Sequence, residues 1–179
     1  MQTLRTPSDA KLRRYSGFLA HASLLLAVLI PGSVLFAWID MPDEMVRRAG
    51  LPPDTQSALW QLAFGALIAL SPACLLSAAL HAARRCFLLF HRGVYLTVEV
   101  VCALRAFGGR VAMASFASVI VPPLLSLLLS IGNPPGSRAL TFALSSSTLL
   151  GLLVGGTLWA LAAVMARAVA MADEHAQFV

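Results

Sequence analysis

The segment HAARRCFLLFHRGVYLTVEVVCALRAFGGR, residues 81–110, decides the fold because it separates two pairs of apolar runs. It holds five of the thirteen basic residues, two of the three cysteines and two of the four histidines. The runs before and after it carry no Asp, Glu, Lys or Arg over the length of a membrane-spanning helix, about 20 residues. We therefore interpret most of this segment, residues 84–110, as a loop outside the bilayer, with two spans before it and two after it.

The four apolar runs predict transmembrane helices at residues 17–39, 57–83, 111–132 and 140–166, within one membrane domain, 1–179. The chain is 59% hydrophobic and 12% charged, whereas a soluble domain has about 25% charged residues. The predicted fold class is all-α, an integral membrane four-helix bundle. A cleaved signal peptide is not indicated, because Phe36-Ala37-Trp38 is a poor cleavage site. Prolines in three of the runs predict kinks that reflect irregular packing or, alternatively, a gating motion.

Short helices are predicted in two of the connections. In the first, Asp40 is predicted to cap a short helix on the membrane surface that ends at Gly50. Trp38 and Trp60 flank this connection and suit the aromatic belt at the membrane interface.

In the central loop, 84–110, Gly93 is predicted to end the second helix. Thr97 is then predicted to cap a separate short cytosolic helix that stops at Gly108-Gly109. The fourth helix is predicted to continue into a cytosolic tail, 167–179. A tight turn at residues 133–136 is predicted to join the last two spans.

Basic residues predict the orientation. Four lie at the N-terminus, five in the central loop and one at Arg167, ten in all, against Arg47, Arg48 and Arg138 on the other side. Cytosolic segments of membrane proteins are the ones enriched in Lys and Arg. We therefore expect a multi-pass protein of the bacterial cytoplasmic (inner) membrane with both termini and the central loop in the cytosol.

The central arginines are the candidate docking site. Arg84, Arg85, Arg92 and Arg105 predict a patch for an anionic lipid or an acidic cytosolic protein, and Glu174 is predicted to contact it from the tail. Arg110 belongs to the same basic group. In this hypothesis the loop and the tail form a small cytosolic cap. The alternative is that these arginines only determine topology.

Outside the central arginines, the sequence has only weak patterns of metal-ligating or catalytic residues. His81 and Cys86 are about 140° apart on a helix, so they do not form a ligand pair, and no metal or cofactor site is predicted. His21 is interpreted as an interfacial histidine bonded to a lipid headgroup or to the backbone. No catalytic arrangement is recognisable, so no enzyme is expected. Direct binding of nucleic acid is not expected either, because the basic residues lie beside spans.

Gly151 and Gly155 have the spacing that lets two membrane helices approach closely. Packing within the four-helix bundle is the favoured interpretation. Homodimerisation through the same face is the alternative.

The strings LFHRGVYLTVE (89–99) and LRAFG (104–108) resemble the loop between spans two and three of a bacterial four-span family. That family is catalogued as domain of unknown function 2975. Its members typically have an aromatic residue directly before the threonine, where this chain has Tyr95-Leu96-Thr97. The acidic residues Asp173 and Glu174 near the C-terminus resemble the end of its last helix. Family members are often encoded beside a small helix-turn-helix regulator, so the resemblance implies a membrane protein in a regulatory pair.

Two functions are therefore predicted. The first is a non-enzymatic regulatory or sensory membrane protein whose loop and tail dock a cytosolic partner. The second is a small channel or transporter subunit for a neutral or lipid-like solute. The sequence names no substrate for either.

Overall fold

The computed structural model describes residues 7–51, 58–95, 97–131, 140–142 and 144–177, and of residues 7–12 and 172–177 it describes the backbone alone. This part of the chain forms five helices: α1 (Pro7–Asp40), α2 (Pro42–Arg48), α3 (Leu59–His91), α4 (Val98–Ser130) and α5 (Ser146–Gln177). The four long helices are long and apolar enough to cross a membrane, as the sequence predicts. The predicted turn at residues 133–136 lies outside the described residues.

The helices are packed as membrane helices are, with small side chains inside and large apolar ones outside. Alanines such as Ala79 and Ala162 are completely buried. Many leucines and phenylalanines are exposed, for example Phe18 at 71% and Leu153 at 68%. In a bilayer, helices gain little from burying leucine, because lipid is equally apolar, so small residues that allow close approach form the contacts.

The long helices form an open row in chain order. α1 packs on α3, α3 on α4, and α4 on α5, and no other pair of long helices packs extensively in the described part. Neighbours are antiparallel, so α1 and α4 begin where α3 and α5 end. We call this end, which carries Arg13, Arg85 and Arg105, the basic end. A small cavity of about 300 Å³ between α1 and α5 is lined by all four long helices.

Pro31 shows how α1 tolerates a proline at membrane depth. Proline has no N–H, so the carbonyl of Ala27, four residues earlier, loses its partner within the helix. Ser77 on α3 donates its hydroxyl to that carbonyl over 2.5 Å. On α3 itself Pro72 frees the carbonyl of Ile68, which accepts the Ser71 hydroxyl at 2.8 Å. Serine hydroxyls therefore replace the missing backbone donors, and the helix continues through both prolines.

The end opposite the basic end is closed by α2. Its residues Val46 and Ala49 pack with Leu51, Trp38 and Leu129 in one buried cluster. The prediction for Trp38 is wrong, because it is only 8% exposed and lies inside this cluster rather than facing lipid. Trp60, at 51% exposed, does face outward.

Two helices end as the glycines predict. Gly50 and Gly93 both have φ of 82°, which glycine adopts without the steric cost of a side chain. After α3, the amides of Gly93 and Val94 donate to the carbonyls of Phe90 and Leu89. This hydrogen-bond pattern stops a helix sharply.

Of the predicted helix starts, the cap at Asp40 and the start of the third span at Val111 are wrong, whereas a helix start directly after Thr97 is confirmed. Asp40 is the last residue of α1, and Met41 precedes α2 without a side-chain cap. α4 runs unbroken through Gly108 and Gly109, so no separate short helix precedes the third span. The Thr97 hydroxyl caps nothing in the described part, although the Thr97 carbonyl accepts the first α4 hydrogen bond.

The fourth span starts later than predicted because of Ser145. Its hydroxyl accepts the amide of Thr148 at 3.2 Å and so begins α5 at Ser146. Thr141, which the prediction places in the helix, instead lies in the connection. Its hydroxyl donates to the carbonyl of Ala49 at 3.1 Å, and its amide donates to Ser126 at 3.1 Å.

Candidate functional site

The predicted docking arginines lie on three different sides of the basic end. Ser77 and His91 of α3 both bond to α1. Arg84 lies seven residues, about two helical turns, from each of them, so it lies on the same side of α3, facing α1. Arg85 and Arg92 line a groove between α3 and α4. Arg105 lies on the α5 side of α4. The structure therefore divides the predicted patch rather than forming a single surface.

α1 and α3 are joined at the basic end by a reciprocal pair of hydrogen bonds. Arg13 donates from Nε to the carbonyl of His91 at 2.9 Å, and His91 donates from Nδ1 to the carbonyl of Arg13 at 2.7 Å. Gly17 leaves room for the imidazole, because a Cβ there would lie 3.2 Å from His91 Nδ1. His91 therefore holds two helices together. His21 contacts the carbonyl of Gly17, and His81 contacts the carbonyl of Ser77, in each case four residues earlier. Of the two partners predicted for His21, a lipid headgroup or the backbone, this is the backbone.

Arg105 and Trp159 join α4 to α5. The guanidinium lies 5.2 Å from the centre of the Trp159 ring, within the range of a cation–π contact. One turn further along α4, the backbones of Gly108 and Gly155 approach each other. A Cβ on Gly108 would lie 2.8 Å from the Gly155 carbonyl, and a Cβ on Gly155 would lie 2.6 Å from the amide of Ala112.

The glycine pair of α5 therefore packs within the chain. Gly151 faces Ser115 of α4, where a Cβ would overlap the serine hydroxyl. The contacts of Gly151 and Gly155 with α4 therefore occupy the face of α5 through which the alternative, homodimerisation, would occur. Gly156, by contrast, has no neighbour within 4 Å of an added Cβ.

A groove between α3 and α4, the α3/α4 groove, opens at the basic end. Its basic part is a cavity of about 520 Å³ bordered by Arg85, Arg92 and Arg110, with Glu99 at its outer rim. Leucines and alanines form its floor. Arg110 crosses it and donates from Nη1 to the carbonyl of Ala78 at 3.0 Å. Towards the middle of the helices a second, apolar cavity of about 720 Å³ follows.

The arginines of the basic end form no ion pair within the described residues. The ion pairs of the described part join Glu44 to Arg47 and Arg48, which lie in α2 at the opposite end. The side chain of Glu174 lies outside the described residues, and so does its predicted contact with the arginines. The predicted cytosolic cap is also not a separate unit, because residues 84–91 continue α3 and residues 98–110 begin α4.

The described residues bring no three metal-ligating side chains together. Cys86 is buried, Cys74 and Cys102 are exposed, and Cys102 lines the groove. The groove itself was not anticipated from the sequence. The sequence indicates one side of the groove, because Arg85 and Arg92 are seven residues apart and so share one face of a helix.

Comparison with known proteins gives no match to a protein-family model, a curated protein or a solved structure. The resemblance to the four-span family stays a prediction.

Proposed function

We propose that this chain is a non-enzymatic, multi-pass protein of the bacterial cytoplasmic membrane, with a regulatory or sensory role. In this proposal the basic end lies in the cytosol, in accord with the excess of arginine there. The short α3–α4 connection carries the resemblance to the four-span family, which supports the same role. Phe90 and Tyr95 stack across it with ring centres 6.0 Å apart.

The observation that carries the proposal is the set of unpaired arginines at the basic end. Arg84, Arg85, Arg92 and Arg105 form no ion pair within the described residues, whereas both arginines of α2 do. Guanidinium groups in this state can pair with carboxylates of an acidic protein surface and steer its approach. We propose that a cytosolic partner docks on the Arg84 and Arg105 sides of this end.

The test is an affinity pull-down of the detergent-solubilised protein from its native membrane, compared with an Arg105→Ala, Glu174→Ala variant. An Arg48→Ala variant is the matched control, because it removes one exposed arginine at the opposite end. We expect a soluble protein to be retained by the wild type and the control but lost from the double variant. Equal recovery from all three proteins, or recovery of this chain and lipid alone, contradicts docking at the basic end.

A transporter subunit for a neutral solute is the second candidate. The cavity of about 300 Å³ between α1 and α5 favours it, because Ser115, Ser118, Ser147 and Thr148 supply hydroxyl groups on its wall. The hydroxyls of Ser118, Ser147 and Thr148 already bond to the Ala114 carbonyl or to the Ser145 hydroxyl, so what they offer an uncharged polar solute is their remaining hydrogen-bonding capacity. Flux of small polyols into liposomes that is abolished by Ser118→Leu would support this function, and flux equal to that of empty liposomes would reject it.

A further inference from the structure

The two cavities between α3 and α4 follow one another along the same helix faces, with the hydrogen bond from Arg110 to the Ala78 carbonyl between them. On α4 their lining positions follow one another at steps of three and four residues, which keeps them on one face. These positions are Glu99, Ala103, Ala106, Arg110, Met113, Ala117, Ile120 and Leu124. On α3 the same steps connect Ile68, Ser71 and Leu75 in the apolar cavity, and Ala82, Arg85, Leu89 and Arg92 in the basic one, with a step of seven residues between Leu75 and Ala82. The groove is therefore basic at one end and apolar along the rest of its length.

The change from apolar to basic falls where α3, counted from its first residue, has crossed one hydrocarbon thickness. A hydrocarbon layer of about 30 Å takes about 20 helical residues, which from Leu59 reaches about as far as Ala78. Arg110 bonds to the Ala78 carbonyl and so marks this point. Arg85 follows about 10 Å further towards the basic end. Lipid phosphates lie in the headgroup region, between the edge of the hydrocarbon layer and the aqueous phase.

The charge of the basic part suits one phosphate. Arg85, Arg92 and Arg110 border it, and none of them pairs with Glu99 or with another carboxylate of the described residues. One Arg110 nitrogen bonds to Ala78, and its other N–H groups have no partner within the described residues. Guanidinium groups bind phosphate oxygens through paired, charge-assisted hydrogen bonds.

The apolar part suits an acyl chain. Phe116, Met113 and Leu75 line it, and its one hydroxyl, that of Ser71, donates to the Ile68 carbonyl instead of facing a ligand. From Arg85 to Leu67 the groove runs about 27 Å along α3. That length accommodates a headgroup together with a chain reaching across one leaflet, about 15 Å of hydrocarbon.

We propose that the α3/α4 groove is a binding site for one anionic glycerophospholipid. Its phosphate lies between Arg85 and Arg110, and one acyl chain lies along Leu75, Met113 and Ala117. Arg92, at the outer end, adds to the positive potential that selects an anionic headgroup. The site requires that the four helices span a membrane, and it does not depend on the docking of a protein partner.

The test is native mass spectrometry of the full-length protein in detergent, titrated with phosphatidylglycerol and with phosphatidylcholine. We expect the wild type to prefer phosphatidylglycerol. Arg85→Gln should reduce that preference about fivefold, since one arginine near a lipid phosphate contributes about that factor. Arg14→Gln is the matched control, because Arg14 is an exposed arginine at the same end outside the groove. It should change the preference less than twofold.

A second pair of variants tests the apolar part without changing charge. Ala117→Trp fills the groove beside Met113 and should weaken phosphatidylglycerol binding as much as Arg85→Gln does. Ala160→Trp places the same bulk on an exposed position of α5 outside the groove, and should leave binding unchanged.

Three results would overturn the proposal. The first is an equal loss of preference in the Arg14→Gln and Arg85→Gln variants, which indicates a diffuse charge effect. The second is wild-type binding by Ala117→Trp, which indicates that no acyl chain enters the groove. The third is displacement of the lipid by inorganic phosphate at millimolar concentration, which indicates a site for a soluble anion. Circular dichroism and thermal unfolding confirm beforehand that each variant retains its helices.

Discussion

Replacing Gly155 by alanine should separate α5 from α4. The added Cβ would lie 2.6 Å from the amide nitrogen of Ala112 and 2.8 Å from the carbonyl oxygen of Gly108. Both atoms belong to the backbone of α4, so no side-chain rotation can relieve the overlap. The two helices must move apart by roughly 1 Å to restore ordinary contact distances of about 3.5 Å.

The structure supplies a matched control in the next residue. Gly156 lies on the same turn, but a Cβ there meets nothing within 4 Å. Overpacking typically costs about 1–3 kcal/mol, whereas the helix propensity gained by replacing glycine with alanine is about 1 kcal/mol and affects both variants alike. We therefore expect Gly155→Ala to be less stable than Gly156→Ala by about 1–3 kcal/mol.

Reversible unfolding in mixed micelles with increasing mole fraction of sodium dodecyl sulfate measures this difference. In a Trp38→Phe, Trp60→Phe background the fluorescence of Trp159 reports separation of the helices, because its ring lies 5.2 Å from the Arg105 guanidinium of α4. Gly155→Ala should unfold at lower detergent fraction than the wild type, and Gly156→Ala at the same fraction or a higher one. Equal midpoints for the two variants would refute the close contact between α4 and α5.

The remaining predictions concern a proline and two turns. Ser77→Ala should lower the free energy of unfolding by about 0.6–1.7 kcal/mol, because the carbonyl freed by Pro31 loses its donor. In a Pro31→Ala background the same change should cost less, since the helix again supplies that donor; equal costs in a double-mutant cycle contradict this role. Gly50→Ala should be more destabilising than Gly93→Ala by about 1–3 kcal/mol. Both glycines share a φ of 82°, but only at Gly50 would the Cβ overlap the Thr141 side chain. Similar thermal midpoints for these two variants would argue against that contact.

The helices were predictable because apolar runs of membrane length have few alternatives in a lipid environment. The residues at which the helices begin and end were less predictable. Gly108 and Gly109 resemble a helix stop in the sequence, yet in a membrane protein glycine also marks close helix contacts, and that second meaning applies to Gly108. Ser145 begins the last helix with a local hydrogen bond, whereas the hydrophobicity of Leu140 and Phe142 suggested an earlier start.

The α3/α4 groove could not be predicted because it depends on how two helices are rotated against each other. The sequence shows that Arg85 and Arg92 share a face of α3, and that Arg110 shares a face of α4 with Met113. It does not show that those two faces meet, since that follows from contacts between the helices, such as Arg110 with the Ala78 carbonyl and Gln61 with the Leu128 carbonyl. The predicted patch grouped arginines by their nearness in sequence, and the helix rotations separated them.

The open row of helices has a consequence for how the protein is assembled. Each long helix has its packing partner directly before it in the chain, so α3 can settle on α1, and α4 on α3, while the ribosome is still producing the rest. The short helix α2, by contrast, obtains part of its described packing from later segments, Leu129 of α4 and Thr141. The local pairing of the long helices favours rapid folding. Among the long helices of the described part, a displacement of α1 therefore reaches α5 through α3 and α4.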